Sequence, residues 1–314
     1  MIYSTFSTSD IAKRLTCFFL VLLRKTGQSW KIVHSLLSMG EDNVLCFLNG
    51  EGQHCNNYLQ TRLVFDKEEF IKTEIYLNKI LEEGWSIAYI GSDKYPKQWL
   101  PLGNDAPPIM FFKGKFPLDN TVKTVAVVGT TKPSQYMAKL VSDTVQFFVQ
   151  HSFSHISGGA VGVDCIGHET VLSLSGFTRV ILPCGIFCFN IPPLWEEGIQ
   201  NGNMQLISPW LPDADWLKSQ AVRRNQLIAT LAHVGCVFQP SHAGGSLSVA
   251  RNLLMRGLPV FVYNPQGFAK ILDYLPKVTP LLKDNHELNY PELEKSLNIE
   301  IETTTHLPKD LFNL

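Results

Sequence analysis

The chain has 314 residues, of which 45% are hydrophobic and 18% are charged, and its formal net charge is −1. This composition excludes a disordered or fibrous chain, and the near-neutral charge excludes a protein coated in basic residues, although a local basic groove stays compatible with it. The length suggests two domains.

The N-terminal region is predicted to be helical. Helical spacing covers residues 10–24, 30–39 and 67–83, and we expect a small helical domain over residues 1–84. The apolar run 15–23 is far shorter than the ~20 residues of a membrane-spanning helix, and no small-x-small cleavage site follows it. We therefore expect a buried stretch of helix and no contact with a membrane.

The seven cysteines form no Cys-x-x-Cys pair. An odd number of cysteines in a chain of this length indicates reduced thiols in a reducing compartment, and their spacing predicts no zinc site. We therefore expect a cytoplasmic protein without a bound metal.

Short apolar runs alternate with helical patterns between residues 121 and 265. The predicted strands are 122–128, 154–156, 178–182, 205–207, 235–238 and 259–263, and the predicted helices are 134–151, 165–173, 223–232 and 246–255. This alternation predicts an α/β, Rossmann-like fold with a mostly parallel sheet and helices on both faces. We expect this domain to cover residues 85–265, with a C-terminal extension over 266–314.

Loops that leave the predicted strands are candidate ligand contacts, because ligands bind at the carboxyl ends of parallel strands. Gly129-Thr130-Thr131-Lys132 offers close backbone approach, a helix start and a cation to an anion. It lacks the G-x-G-x-x-G fingerprint, so neither NAD nor FAD is expected, and we predict no cofactor. The glycine-rich loop Ser157–Asp164 is either an anion cradle or an unusually tight chain crossing.

Asp164 is expected to cap the helix 165–173, and His168 follows it by four residues. An acid–base pair is one interpretation of this spacing. We favour the other, a capping aspartate and a histidine that is hydrogen-bonded inside the fold, and we assign no catalytic residue.

Two arginines and an amide open the next predicted helix, at Arg223-Arg224-Asn225. Guanidinium groups at a helix start can bind phosphate. The alternative is that the two arginines form salt bridges to nearby carboxylates. The loop Ser241–Ser246 adds backbone donors and a hydroxyl. Together the loops predict one sheet edge that faces nucleotide or nucleic-acid phosphate. The predicted binding residues are Gly129, Thr130, Lys132, Ser157, Gly158, Gly159, Gly162, Asp164, Arg223, Arg224, Asn225, Gly244, Gly245 and Ser246.

The order of these motifs resembles the DNA-processing protein A family (DprA, also called Smf), over about residues 85–265. Tyr95-Pro96 and Lys113-Gly114 are similar to its Y-P and K-G lead-in, and Ser157–Asp164 with His168 to its S-G-x-A-x-G-I-D…A-H element. Arg224–Ala229 and Gly245-Ser246-Leu247 are similar to its R-N-R-I-I-A and S-G-S-L. The resemblance implies an extended Rossmann fold that dimerises, binds single-stranded DNA and hands it to the RecA recombinase without covalent chemistry.

The sequence departs from the family pattern at several positions. The arginine of the family's G-S/T-R is absent after Gly129-Thr130, where Lys132 is the candidate replacement, and two family acidic residues are replaced by Pro209 and Gln239. The C-terminal extension, residues 266–314, has 49 residues, so no winged helix is expected. Natural transformation, a mobile element and phage defence therefore stay open as biological settings.

The leading hypothesis is a cytoplasmic, homodimeric single-stranded DNA-binding recombination mediator. The alternatives are a nucleotide-binding sensor or phosphoribohydrolase-like protein of the same superfold, and an inert scaffold that binds a partner. Two aromatic residues, Phe189 and Trp210, are weighed as base-stacking residues, with core positions favoured for both. Residues 234–238 and 246–255 are the candidate dimer interface.

Overall fold

The computed structural model describes residues 8–37, 67–115, 122–241 and 244–298. They form two compact units. The first contains the described residues up to Phe112 together with Pro209–Pro212, and the second contains those of Lys113–Ser208 and Asp213–Thr304. These limits differ from the boundaries near residues 84 and 265 expected from the sequence, and that three-part division stays a prediction.

The first unit contains helices and a short strand pair. Its elements are α1 (Thr8–Lys25), α2 (Trp30–Leu37), α3 (Lys67–Glu82), β1 (Ser86–Tyr89), a 3₁₀ helix (Lys97–Asp105) and β2 (Ile109–Gly114). Strand β1 pairs antiparallel with β2. The apolar run 15–23 is buried within α1, so the predicted buried stretch of helix is confirmed. In the part of the chain that the structure describes, no helix combines the length and apolarity needed to cross a bilayer.

The second unit is built on parallel strands. They are β3 (Thr124–Gly129), β4 (Ser154–Ser157), β5 (Thr178–Ile181), β6 (Met204–Ser208), β7 (Val234–Phe238), β8 (Val260–Tyr263) and β9 (Thr279–Pro280). They lie in the order β6-β5-β4-β3-β7-β8-β9, and each neighbouring pair is parallel. The predicted Rossmann-like α/β fold is confirmed.

Helices connect the strands and cover both faces of the sheet. They are α4 (Gln135–Gln150), α5 (Val163–Ser173), α6 (Pro193–Gln200), α7 (Lys218–Leu231), α8 (Gly245–Met255), α9 (Ala269–Leu272) and α10 (Tyr290–Ser296), with a 3₁₀ turn at Ile186–Cys188. Ser134 caps α4 by accepting the N–H of Met137, and α4 buries Val141, Val145 and Phe148. Period-3.6 apolar spacing and a capping serine thus place this helix against the sheet.

The order of the strands reverses between β3 and β7. From β3 the chain proceeds through β4 and β5 to β6, then returns to the other side of β3 to build β7 and β8. Because such crossovers are right-handed, the two halves place their helices on opposite faces and leave a crevice at the reversal.

Strand β7 lies inside this sheet, between β3 and β8, and all five of its residues are buried. An inner strand has neither a free edge nor an exposed face. The expectation that residues 234–238 form a dimer interface is therefore wrong for this fold.

Candidate functional site

A cleft of about 670 Å³ opens where the strand order reverses, at the carboxyl ends of β3 and β7. Segments that follow β3, β4, β7 and β8 and the first half of α7 form its walls. The residues that line it are Val128, Gly129, Thr130, Thr131, Ala160, Asp164, Trp216, Lys218, Ala221, Val222, Arg224, Asn225, Gln239, Pro240, Ser241, Gly244, Gly245, Ser246, Val249, Asn264, Gln266, Lys270 and Tyr274. The structure thus brings parts of all four predicted loops to one place.

The N-terminus of α8 forms one wall of the cleft. Gly244 is its N-cap residue and supplies no capping side chain, and Gly245 and Ser246 follow it along the wall. The first N–H groups of a helix have no partner within the helix, and the helix dipole adds positive potential there. This wall therefore offers backbone donors to an anion. His242 and Ala243 of the same loop lie outside the described residues.

Asn225 holds this wall in place. Its side-chain Nδ2 donates to the carbonyl oxygen of Gly245 at 3.1 Å. A Cβ atom on Gly245 would lie 2.9 Å from the same nitrogen, so a side chain there would displace the amide of Asn225. Asn225 thus links the helix that carries it to the start of α8.

The charge of the cleft is predominantly positive. Among the described residues that line it, Lys218, Lys270 and Arg224 are cations and Asp164 is the carboxylate. Both lysines are exposed, whereas Asp164 and Arg224 are each 6% exposed. The lysines therefore present mobile ammonium groups to a ligand, and the buried pair lies in the wall.

Asp164 is tied into the loop that precedes it. Its Oδ2 accepts the N–H of Gly158 at 3.0 Å and of Ala160 at 3.4 Å. Burial raises the pKa of Asp164, and the charge of Arg224 together with hydrogen bonds opposes that shift. Gly162, not Asp164, is the N-cap residue of α5, so the predicted capping role is wrong: the carboxylate accepts amides of its own loop instead.

Arg224 lies within the wall. Its Nη1 donates to the carbonyl oxygen of Ile181, while its Nε is buried without a hydrogen-bond partner. Burial lowers the pKa of Arg224 to about 10, and the neighbouring Asp164 opposes the shift. Because α7 begins at Lys218, Arg223 and Arg224 lie in its middle, and their predicted position at a helix N-terminus is wrong.

The glycine-rich loop is a tight crossing in this structure. The amide of Gly158 is taken by Asp164, and a Cβ atom there would overlap the guanidinium of Arg224. Gly162 has φ +92°, and a Cβ atom on it would lie 2.6 Å from the carbonyl oxygen of Thr130. The loop therefore packs against its neighbours, as expected for a tight chain crossing, the second of the two interpretations of its glycines.

The predicted binding residues divide into two groups. Those that line the cleft are Gly129, Thr130, Asp164, Arg224, Asn225, Gly244, Gly245 and Ser246. Those that do not are Lys132, Ser157, Gly158, Gly159, Gly162 and Arg223. Ser157, for example, donates its hydroxyl to the carbonyl oxygen of Val127 at 2.6 Å inside the sheet.

His168 belongs to a buried cluster behind the cleft. Its Nδ1 lies 2.7 Å from the hydroxyl of Thr178, and Nδ1 of His155 lies 2.8 Å from the same oxygen. Burial lowers the pKa of His168 well below its usual value and that of His155 to about 3. The predicted histidine hydrogen-bonded inside the fold is confirmed.

Neither aromatic residue weighed for base stacking lines the cleft. Trp210 is buried and stacks on Trp30 with ring centroids 5.0 Å apart, and Phe189 stacks on Trp195 at 5.9 Å. These side chains pack within the fold.

Several residues of the cleft were not among the binding residues predicted from the sequence. They are Trp216, Lys218, Gln239, Lys270 and Tyr274. Gln239 directly follows β7 and has φ +50°, a conformation that is uncommon for residues other than glycine and often marks a functional site. Trp216 and Lys218 flank the start of α7, so a correctly placed helix start is the signal that would have found them. Across the described ranges, no group of three or more His, Cys, Asp or Glu residues could hold a metal ion.

Comparisons with known proteins point to one family. The family model for DNA recombination-mediator protein A matches residues 86–271. The DNA processing protein DprA of Bacillus subtilis is 28% identical over 185 residues, which cover 57% of this chain and 61% of that protein. Protein Smf of Borreliella burgdorferi is 26% identical over 222 residues, 68% of this chain and 69% of that protein. The match thus spans less than two thirds of the B. subtilis relative.

Solved structures show the same fold. DNA processing protein A of Streptococcus pneumoniae aligns with a TM-score of 0.57 and 22% identity, over 85% of this chain and 90% of that one. DNA processing protein A of Helicobacter pylori, solved for its single-stranded DNA binding mode, aligns with a TM-score of 0.55 and 25% identity, over 67% and 96%. Since the family model covers more than half of the sequence, the chain belongs to the DNA recombination-mediator protein A family.

Proposed function

We propose that the cleft binds single-stranded DNA and that the protein is a recombination mediator that hands the strand to a RecA-type recombinase. The observation that carries this proposal is the meeting of the α8 N-terminus with Lys218 and Lys270 in one cleft at the reversal of strand order. Membership of the family and the DNA-binding mode described for the H. pylori relative support it.

Phosphate groups are the part of the strand that this geometry suits best. The amides of Gly245 and Ser246 supply donors in fixed positions, and the two lysines supply charges on flexible stems. Such contacts recognise a phosphodiester chain and read no base sequence. We therefore expect binding that depends strongly on salt and weakly on sequence.

A comparison of two double variants tests this proposal. Lys218→Ala/Lys270→Ala removes two cations from the cleft, and Lys132→Ala/Arg223→Ala removes two that do not line it. Each phosphate contact contributes about −0.7 to the slope of the logarithm of the binding constant against the logarithm of the salt concentration for a single strand. The slope for Lys218→Ala/Lys270→Ala should therefore be shallower by up to about 1.4. Fluorescence anisotropy of a labelled oligonucleotide at several salt concentrations measures this. Equal losses in both variants, or an unchanged slope in the first, would contradict the proposal.

A second candidate is a nucleotide sensor, which the shape of the cleft favours. A concave site of about 670 Å³ lies in the range that encloses a small ligand, roughly 300–1,000 Å³. Titration with nucleoside monophosphates and with oligonucleotides separates the two functions, since a sensor binds the monomer at least as tightly. Release of free base in the same mixture would indicate a phosphoribohydrolase.

We also propose that the protein acts as a cytoplasmic homodimer. Within the interface expected from sequence, α8 stays a candidate, because its last residue, Met255, is 78% exposed. Light scattering measures the dimer, and Met255→Glu should dissociate it if α8 lies at the interface. Hand-off is tested by the rate at which a RecA-type recombinase coats an oligonucleotide bound beforehand by this protein.

A further inference from the structure

We propose that Trp216 is the residue of the cleft on which a nucleobase stacks; this inference rests on the proposed binding of single-stranded DNA. Trp216 lines the cleft and lies just before α7, two residues from Lys218. An aromatic side chain and an ammonium group therefore both line the cleft near the start of α7.

The exposure of Trp216 sets it apart from the other tryptophans. Its side chain is 59% exposed, whereas the other five of the chain's six tryptophans are at most 5% exposed. An apolar neighbour that also lines the cleft, Val222, is 48% exposed. Large apolar side chains gathered at a polar site mark a surface that contacts a ligand.

Tyr274, the other aromatic residue among the described residues that line the cleft, is held by a hydrogen bond. The hydroxyl of Tyr274 donates to the carbonyl oxygen of Pro240 at 3.2 Å, which ties its ring to the loop after β7. Trp195 is buried against His168 and Phe189. Trp216 is thus the aromatic group of the cleft whose face is most open to a planar ligand.

Stacking and phosphate binding would contribute separately to affinity. Proteins that bind single strands combine a cationic groove with aromatic side chains, and each stacked base contributes roughly 1–3 kcal/mol, whatever its identity. In this cleft Lys218, Lys270 and the α8 N-terminus would hold the phosphates, and Trp216 would hold the base. Removal of the indole should therefore weaken binding of a strand with bases and leave binding of the bare phosphodiester chain unchanged.

The test compares a thymidine oligonucleotide with an abasic strand of the same length. We expect the unaltered protein to bind the thymidine strand about tenfold more tightly, in keeping with one stacked base. Trp216→Ala should abolish that preference without changing the affinity or salt slope of the abasic strand, and Trp216→Phe should retain most of it. Leu217→Ala, which removes an exposed neighbour that does not line the cleft, should keep the full preference.

Each result of this test decides the inference. If the unaltered protein binds neither strand, the proposed function fails, and the stacking role fails with it. If it binds both strands and Trp216→Ala keeps the preference, DNA binding stands and the stacking role is overturned. An equal loss for both strands in Trp216→Ala also overturns it, because the indole would then support the cleft as a whole. Quenching of tryptophan emission by the thymidine strand, lost in Trp216→Phe, provides a second readout.

Discussion

Arg224 occupies the space that a side chain on residue 158 would need, although the two residues lie far apart in the sequence. The guanidinium packs directly over Gly158, while Asp164 accepts the amide N–H of that glycine. The glycine-rich loop and the Arg224-Asn225 segment of α7 therefore pack directly against each other.

Gly158→Ala should destabilise the protein through this overlap. We expect a loss of about 1–3 kcal/mol in the free energy of unfolding, the usual cost of overpacking a buried site. The same change in an Arg224→Met background should cost much less, because the guanidinium is gone. Urea denaturation of the four proteins gives the coupling energy, and additive losses would show that the two residues do not compete for space.

Gly244→Asp should block anion binding at α8. The new carboxylate would cap the helix and place a negative charge where we expect a phosphate, whereas Gly244→Asn is a neutral cap of the same shape. We expect the aspartate variant to bind a single-stranded oligonucleotide at least about tenfold more weakly than the asparagine variant at low salt, with a smaller gap at high salt. Identical affinities would place the phosphate elsewhere.

Asn225→Ala should weaken DNA binding by releasing the start of α8. Asn252 offers a matched control, because its Nδ2 donates to the carbonyl oxygen of Ser248, also in α8, at 2.8 Å and away from the cleft. Each alanine variant should lose about 1 kcal/mol of stability with its hydrogen bond. Anisotropy titrations should show reduced affinity in Asn225→Ala alone, and an equal reduction in both would argue against a positioning role.

The buried histidines should make the protein lose stability in mild acid. Burial holds the pKa of His155 at about 3, below its ordinary value of 6.5. Between these values the unfolded chain binds a proton that the folded chain does not, so the free energy of unfolding falls as the pH falls, by up to about 1.4 kcal/mol per pH unit. His168 adds to this dependence with the same sign.

His155→Asn isolates the contribution of one imidazole. The amide can keep the hydrogen bond to Thr178 and does not titrate. Denaturation measured between pH 4 and 6.5 should show that the variant takes up about one proton fewer on unfolding than the unaltered protein. Its free energy of unfolding should therefore depend less steeply on pH. A slope that does not change would mean that His155 takes up a proton in the folded state.

Periodicity predicted the sheet well because its strands are buried on both faces. The run Val125–Val128 contains no polar residue. A helical segment between consecutive strands of this kind favours parallel pairing. The start of α7 was missed because its N-cap, Leu217, makes no side-chain capping hydrogen bond. A helix that begins without a polar cap has no local signal of its first residue.

The roles of the loop glycines depended on partners distant in the sequence. Glycine at residue 158 is compatible with a ligand or with a side chain packed over the backbone, and Arg224 decides between them only once the chain is folded. Lys270 was overlooked for a similar reason, since it follows the last predicted strand and belongs to the four-residue helix α9. Helices this short carry too little periodicity to be recognised.

The hydrogen bond from Tyr274 to Pro240 joins the segment after β8 to the loop that follows β7, and both residues line the cleft. A protein shortened to end near residue 265 would retain every strand from β3 to β8 and yet lose Gln266, Lys270 and Tyr274 from the lining of the cleft. An intact parallel sheet is therefore not sufficient for an intact cleft, because part of the lining comes from the residues after the last long strand.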